Sequence, residues 1–256
     1  MDTKNIFKME MYKNFHDKPY VIMIIVLASV SAMLSIIGAS IAESGNRIFM
    51  GSSDLAMVFF SFYILTIVMT VLALGIFSLL YPFHLLNVDY KNKVMSLMVA
   101  SGVSRLKYYF VKIAATLLSC FIVATVISFI PLVVLFIVIQ DEFVRFFVEY
   151  IHESFTAGNI IQLLLSGILS IVQFVVVMVA AVIITKGKFV GIFLFIGFNI
   201  GISMVHGFIR LTFLIAMFDT ADTSFFFHEG IGMILTVITI GLFGLLGAWN
   251  INKQDL

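Results

Sequence analysis

Six uncharged stretches dominate the chain and fix most of what it can become. They run from Tyr20 to Ala42 (23 residues), Leu55 to Val88 (34), Ile113 to Gln140 (28), Ser154 to Thr185 (32), Phe189 to Ile209 (21) and Gly230 to Asn252 (23). Each exceeds the roughly 20 residues a helix needs to cross the hydrocarbon layer of a bilayer. Six transmembrane helices are therefore expected. Runs such as "VLASVSAMLSII" and "FVVVMVAAVII" lack the strict alternation of an outer-membrane barrel strand, which excludes that class. Composition agrees: 62% apolar residues, 11% charged residues and a mean hydropathy of +1.16 lie outside the range of soluble globular domains.

The basic residues set an orientation. Lys4, Lys8, Lys13 and Lys18 precede the first span; Lys91, Lys93, Arg105, Lys107 and Lys112 lie between the second and third; Lys186, Lys188 and Lys253 complete the same side. Only Arg47, Arg145 and Arg210 fall on the other. The positive-inside rule then predicts both termini in the cytoplasm of a multi-pass protein of the cell (inner or plasma) membrane. The first apolar run starts at residue 20 behind a mixed-charge segment and is read as a retained helix, not a cleaved signal peptide. Cys120 is the single cysteine, so no intrachain disulfide is possible and packing is its expected role.

Within residues 4–18, Phe7, Met11 and Phe15 recur every four positions beside four lysines, which suits a helix lying in the membrane interface; a disordered basic leader is the alternative. Pro19 separates it from the first span. Windows two and three are longer than a bilayer requires, so their helices are expected to project into the cytoplasm, with a hairpin over 87–106 at their tips. Pro82 and Pro131 are candidate bends or stops. The fifth span is expected to break near Gly207, followed by a re-entrant segment over 208–228. Outer loops are expected to be small, the longest covering about 141–153.

No chemistry-bearing motif is present. Gly187-Lys188 is followed by Phe189 and lacks the Gly-x-x-x-x-Gly-Lys-Ser/Thr context of a phosphate-binding loop. The five histidines show no metal-ligand spacing, and no Gly-x-Ser-x-Gly elbow occurs. An enzyme is not expected, and neither is a cofactor in this chain. His206 and Arg210 share a helical face, either as a polar patch at the outer mouth of a path or as an interface anchor with Arg210 paired to Asp219 or Asp222. Gly197 and Gly201 have the spacing for close helix approach, and Gly241, Gly244 and Gly247 form a second stripe; both patterns serve packing within one chain or dimerisation.

Residues 89–112, "DYKNKVMSLMVASGVSRLKYYFVK", carry Asp89, then "NKVMSLMVASGV", then Ser104-Arg105, then Lys112 two helical turns later. This arrangement resembles the membrane subunits of ABC-2 type ATP-binding-cassette exporters, in which a cytosolic coupling helix joins helices two and three. The resemblance extends over the whole layout: an interfacial N-terminal helix over 4–18, spans at about 20–42, 55–86, 107–139, 157–185, 189–207 and 229–250, the coupling hairpin, the re-entrant segment and a short polar tail. Lys93 and Gly102 stand where that family often has Gly and Pro.

The resemblance implies an all-α, single-domain bacterial exporter subunit, pairing with a second copy or a related chain, and coupled to separate cytosolic ATPase subunits that hold ATP and Mg. It assigns ATPase coupling to Asp89, Lys91, Lys93, Val94, Leu97, Met98, Ser104, Arg105 and Lys112, with apolar side chains filling a groove and basic ones orienting the docking. Membrane lipids are further partners; nucleic acid is not expected. The apolar spans suit an amphipathic or hydrophobic cargo such as a peptide, antimicrobial or lipid-like molecule. A non-transporting scaffold or sensor subunit, or an ion-coupled secondary transporter, are the alternatives, although ionisable residues are scarce in the spans.

Overall fold

The computed structural model describes residues 2–48, 75–154, 157–216 and 225–254. Within them, regular structure is helical throughout: α1 (Thr3–His16), α2 (Lys18–Ile48), α3 (75–91), α4 (Val94–Ala100), α5 (Arg105–Ser154), α6 (Ala157–Ile184), α7 (Val190–Ala216) and α8 (Phe225–Lys253). Helices are the form this composition demands, because a span in hydrocarbon must satisfy every backbone N–H and C=O within itself. Among the described residues, five helices contain segments long and apolar enough to cross a membrane: Lys18–Ile37, Arg105–Pro131, Leu164–Ile184, Val190–Phe213 and Gly230–Lys253. Of the expected second span, 55–86, residues 55–74 lie outside the described residues.

The described helices fall into two compact units. One comprises Phe15–Phe77 and Ser119–Ser154. There Tyr20, fully buried, donates to the Ser119 carbonyl at 3.4 Å and meets Phe77 with ring centroids 6.0 Å apart. Along α2, Ser31 and Ser35 face inward one turn apart, and the Ser35 hydroxyl satisfies itself on the Ser31 carbonyl at 2.7 Å. That local bond is how a polar side chain is tolerated in an apolar helix.

The other unit comprises Met1–Asn14, Ser78–Leu118 and Phe155–Leu256. Its core is the second half of α6, where every residue from Val175 to Ile183 is buried. α6 packs chiefly against α8 and also against α7. Small residues permit the approach: Gly244 of α8 stands over Val176, and the Tyr109 side chain of α5 occupies the space a Cβ at Gly247 would need. The Tyr109 hydroxyl bonds the Gly244 carbonyl at 3.1 Å, so Gly244 and Gly247 serve packing within the chain. By contrast, Gly197 and Gly201 have nothing near them, and α7 turns Phe193, Ile196, Ile200, Met204 and Phe208 outward.

Three expectations are corrected. α7 runs unbroken past Gly207 to Ala216, since apolar residues continue on both sides and an isolated helical glycine costs only about 1 kcal/mol. Of the expected re-entrant segment, 208–216 is therefore helix α7, 225–228 is helix α8, and 217–224 lies outside the described residues. α5 continues through Pro131 and onward to Ser154, 50 residues in all. The stretch expected as the longest outer loop is thus helical, consistent with Asp141, Arg145, Glu149 and Glu153 recurring every four positions in the sequence.

Turn chemistry defines the hairpin. α3 ends at 91, and Lys93, in the left-handed region at φ 52°, starts α4 without a side-chain cap. α4 closes in a Schellman motif: the Val103 N–H reaches the Met98 carbonyl at 3.1 Å and the Gly102 N–H reaches Val99 at 3.0 Å, with Gly102 at φ 86°. This is why glycine stands in the turn. Ser104 then caps α5, its Oγ accepting from the Lys107 N–H at 3.3 Å. A related turn ends α6, where Gly187 sits at φ 74° directly under Tyr90, whose Cβ lies 2.9 Å from where an alanine methyl would stand.

These two glycines make a paired test. Gly102→Ala meets open space and should cost about 1 kcal/mol of backbone strain, whereas Gly187→Ala adds a collision with Tyr90 and should cost about 2–4 kcal/mol. Thermal unfolding of the detergent-solubilised variants checks the order; equal losses would show that the Tyr90 contact is not rigid.

Candidate functional site at the base of the hairpin

The inward stripe of α1 is Ile6, Glu10 and Asn14, spaced every four residues and fully buried. Phe7 and Met11, the face the sequence had suggested as the apolar one, lie at its edge and are half-buried. A charged inward face requires partners, and α3 and α5 provide them. Lys112, 1% exposed, places its Nζ 2.6 Å from Glu10 Oε2 and 2.6 Å from Asp89 Oδ2. One turn earlier on the same face of α5, the Tyr108 hydroxyl donates to Asp89 Oδ2 at 2.8 Å. Lys13 of α1 pairs with the other Asp89 oxygen and is the partly exposed member of the group.

Two carboxylates and two ammonium groups thus balance in charge around an aspartate with no solvent exposure. Burial by itself would raise the Asp89 pKa, but the nearby Lys112 and Lys13 charges and their hydrogen bonds outweigh it and hold the carboxyl below its ordinary value. Such a network contributes little net stability compared with an apolar packing of the same volume. Losing one partner is different, because it strands a charge in a low-dielectric interior at a cost of about 3–5 kcal/mol.

A second polar knot ties the hairpin to the end of the chain. The Tyr90 hydroxyl donates to Gln254 Oε1 at 2.9 Å, and Gln254 Nε2 donates to the Ile183 carbonyl at 2.6 Å. Burial pushes the Tyr90 phenol up to about 12, so it acts as a neutral donor. Arg105 completes the knot, its Nη1 reaching the carbonyls of Asn252 at 3.0 Å and Gln254 at 2.6 Å. A guanidinium on the last carbonyls of α8 satisfies acceptors that the helix leaves open and complements its dipole.

The expected coupling residues therefore divide by placement. Asp89 and Lys112 come together inside the network, Arg105 turns to the end of α8, Ser104 caps α5, and Met98 packs inward at 9% exposure. Val94 is half-buried, while Lys91, Lys93 and Leu97 face outward, Leu97 with 66% of its surface free. Asp89, Lys112 and Met98 are thus inaccessible to a docking partner in this conformation and act as internal braces. His206 and Arg210 both turn toward α8: His206 Nε2 lies 3.0 Å from Thr239 Oγ1, and Arg210 lies against Gly232. Asp219 and Asp222 are outside the described residues.

The roles of Glu10, Tyr90, Tyr108 and Gln254 escaped the sequence reading, and Lys13, read there as one of the lysines of the interfacial segment, instead pairs with Asp89. Glu10 did leave a signal, as the lone acidic residue between Asp2 and Asp17, one turn before Asn14 on a helix otherwise rich in lysine. Tyr108 sits one turn before Lys112, a spacing that shares a face. Among the described residues no group of His, Cys, Asp and Glu converges as metal ligands would. The arrangement is equipped to hold helices in register, with the outward side of α4 as its accessible surface. No protein-family model, curated protein or solved structure matches the chain.

Lys112→Met should lower stability by about 3–5 kcal/mol by taking from buried Glu10 its cation and leaving Asp89 with Lys13 and Tyr108, and the triple change with Glu10→Gln and Asp89→Asn should recover most of the loss. Thermal unfolding checks this; a triple variant no better than the single would show that lost packing, not stranded charge, is responsible. The pH dependence carries a second test. A depressed folded pKa gives stability that is present above the ordinary aspartate value of about 4 and is lost as pH falls through the folded value. The unfolding temperature should therefore hold steady from about pH 7 to 5 and fall below about pH 4, with Asp89→Asn showing a smaller acid decline.

Proposed function

We propose that this chain is the membrane subunit of an ABC-2 type exporter, and that the outward side of α4 is where a cytosolic ATPase docks. The observation that carries the reading is the placement of Leu97: a large apolar side chain, 66% exposed, on a two-turn helix flanked by exposed Lys91 and Lys93. An exposed leucine on a surface of lipid-facing helices would mean little. On a short helix outside the apolar spans, beside exposed lysines, a partner groove is the fitting environment for it.

Rigid mounting supports the same reading. A docked ATPase can move the membrane helices only if its push is not absorbed by a flexible joint. α4 is joined to α5 through a two-bond Schellman turn and a serine cap, with Met98 and Val103 buried beneath it. Displacement of α4 passes into α5, a helix of 50 residues whose rise of about 75 Å exceeds the thickness of a bilayer. Closure of two ATP-bound ATPase subunits against the hairpins of a paired chain would rock the bundles and open a path for an amphipathic or hydrophobic cargo. Lysines at 91 and 93 would steer the encounter, and ATP and Mg would reside on the partner.

Leu97→Glu should abolish co-purification with the ATPase encoded for the same transporter and stop ATP-dependent cargo movement in proteoliposomes, while leaving the fold intact because Leu97 is exposed. An anchor of this size is worth about 2 kcal/mol, or roughly 30-fold in dissociation constant. A wild-type chain that binds no ATPase, or a Leu97→Glu variant that transports normally, would overturn the reading in favour of a subunit that moves nothing under ATP.

A further inference from the structure

α1 is polar on its inward stripe as well as on its outward one, with Ile6 the apolar member of the inward stripe. Its inward stripe carries Glu10 and Asn14, and its outward stripe carries Lys4, Lys8, Met9 and Tyr12, the tyrosine 66% and the methionine 37% exposed. Lys4, Lys8 and Tyr12 recur every four residues, so they form one continuous line along the helix. A single residue, Asp17, separates the end of α1 from Lys18, where the first apolar span begins. That connection holds the C-terminal end of α1 at the level where the apolar span begins. At that level, a line of lysines with a tyrosine and a methionine matches anionic headgroups with acyl chains just beneath them: ammonium groups meet phosphate while their stems and the aromatic ring enter the interface.

The same helix holds the base of the hairpin. Glu10 reaches Lys112 at 2.6 Å, Lys112 reaches Asp89 at 2.6 Å, and Lys13 grips Asp89 from α1 itself. Asp89 lies on the last turns of α3, immediately before the hairpin, and Lys112 lies two turns into α5, immediately after it. Whatever pins α1 in place therefore pins both roots of the hairpin through buried charge.

We propose that the outward face of α1, carrying Lys4, Lys8, Met9 and Tyr12, binds the anionic surface of the membrane, and that the Glu10–Lys112–Asp89–Lys13 network makes the order of the hairpin depend on that binding. The anionic lipid surface thereby regulates the element assigned above to ATPase docking. The inference rests on that assignment for its meaning, but its test needs no ATPase.

The experiment is hydrogen exchange of amides 94–103 in the full chain, reconstituted in nanodiscs of phosphatidylcholine alone or with phosphatidylglycerol at about a 2:1 ratio. Two lysines at an anionic surface should slow exchange of the hairpin amides by up to roughly 30-fold in the mixed lipid. The Lys4→Glu/Lys8→Glu variant should lose that difference. The Glu10→Gln/Lys13→Gln variant, which removes both links from α1 to Lys112 and Asp89, should keep lipid-dependent protection of α1 while the hairpin no longer responds. Amides 175–183 of the α6 core serve as the internal reference for an intact fold. Equal hairpin exchange in the two lipids, a persistent response in Lys4→Glu/Lys8→Glu, or a Glu10→Gln/Lys13→Gln hairpin that responds like wild type would each overturn the proposal. A failed ATPase co-purification would leave these outcomes unchanged, so the two readings fail separately.

Discussion

A lysine ammonium with almost no access to water, held between two carboxylates, is the constraint on which the unit containing α1, the hairpin and α6–α8 depends. Lys112 contacts Glu10 and Asp89, each at 2.6 Å, and these residues come from three different helices. An apolar cluster could glue α1, α3 and α5 together at several sliding registers. Buried charges do not slide, because a shift of one turn would leave each of them unpaired in a medium where that is costly. The network therefore specifies the geometry of the three helices more than it stabilises them.

The second knot extends the same logic to the far end of the chain. Gln254 joins Tyr90 at the end of α3 to the last carbonyls of α6, and Arg105 at the start of α5 closes the end of α8. Helix ends are where backbone groups lack partners, so polar side chains placed there satisfy a real need and link elements at the same time. Both roots of the hairpin are consequently tied twice: to α1 by charge, and to α6 and α8 by hydrogen bonds. Between those roots α4 rides on Met95 and Met98, buried, and offers Leu97 outward. The proposed coupling role follows from this contrast between a fixed base and an exposed apolar tip.

How much of this was legible in the sequence differs from feature to feature for physical reasons. Long apolar runs announced the membrane helices because the bilayer demands length and hydropathy and little else. Asp89, Arg105 and Lys112 stood out by spacing, yet spacing cannot reveal direction: the same residues that a docking surface would use turned inward to brace it. Glu10 was hidden because its meaning depends on Lys112, 102 positions away. The helical run from 141 to 154 was obscured because its charges resembled a loop, and the continuity of α7 because Gly207 and Arg210 resembled a break. In each of these cases a local cue was overridden by a helix that neighbouring residues already favoured.

The central claim is that α4 presents Leu97 to a nucleotide-hydrolysing partner. Its most direct test is photo-crosslinking in living cells, with a benzoylphenylalanine installed at position 97 and adducts identified by mass spectrometry. The account predicts a major adduct with a cytosolic protein that carries a phosphate-binding loop, strengthened when ATP hydrolysis is blocked, and absent when the probe is moved to inward-facing position 98. Adducts confined to lipid or to a second copy of this chain would contradict it.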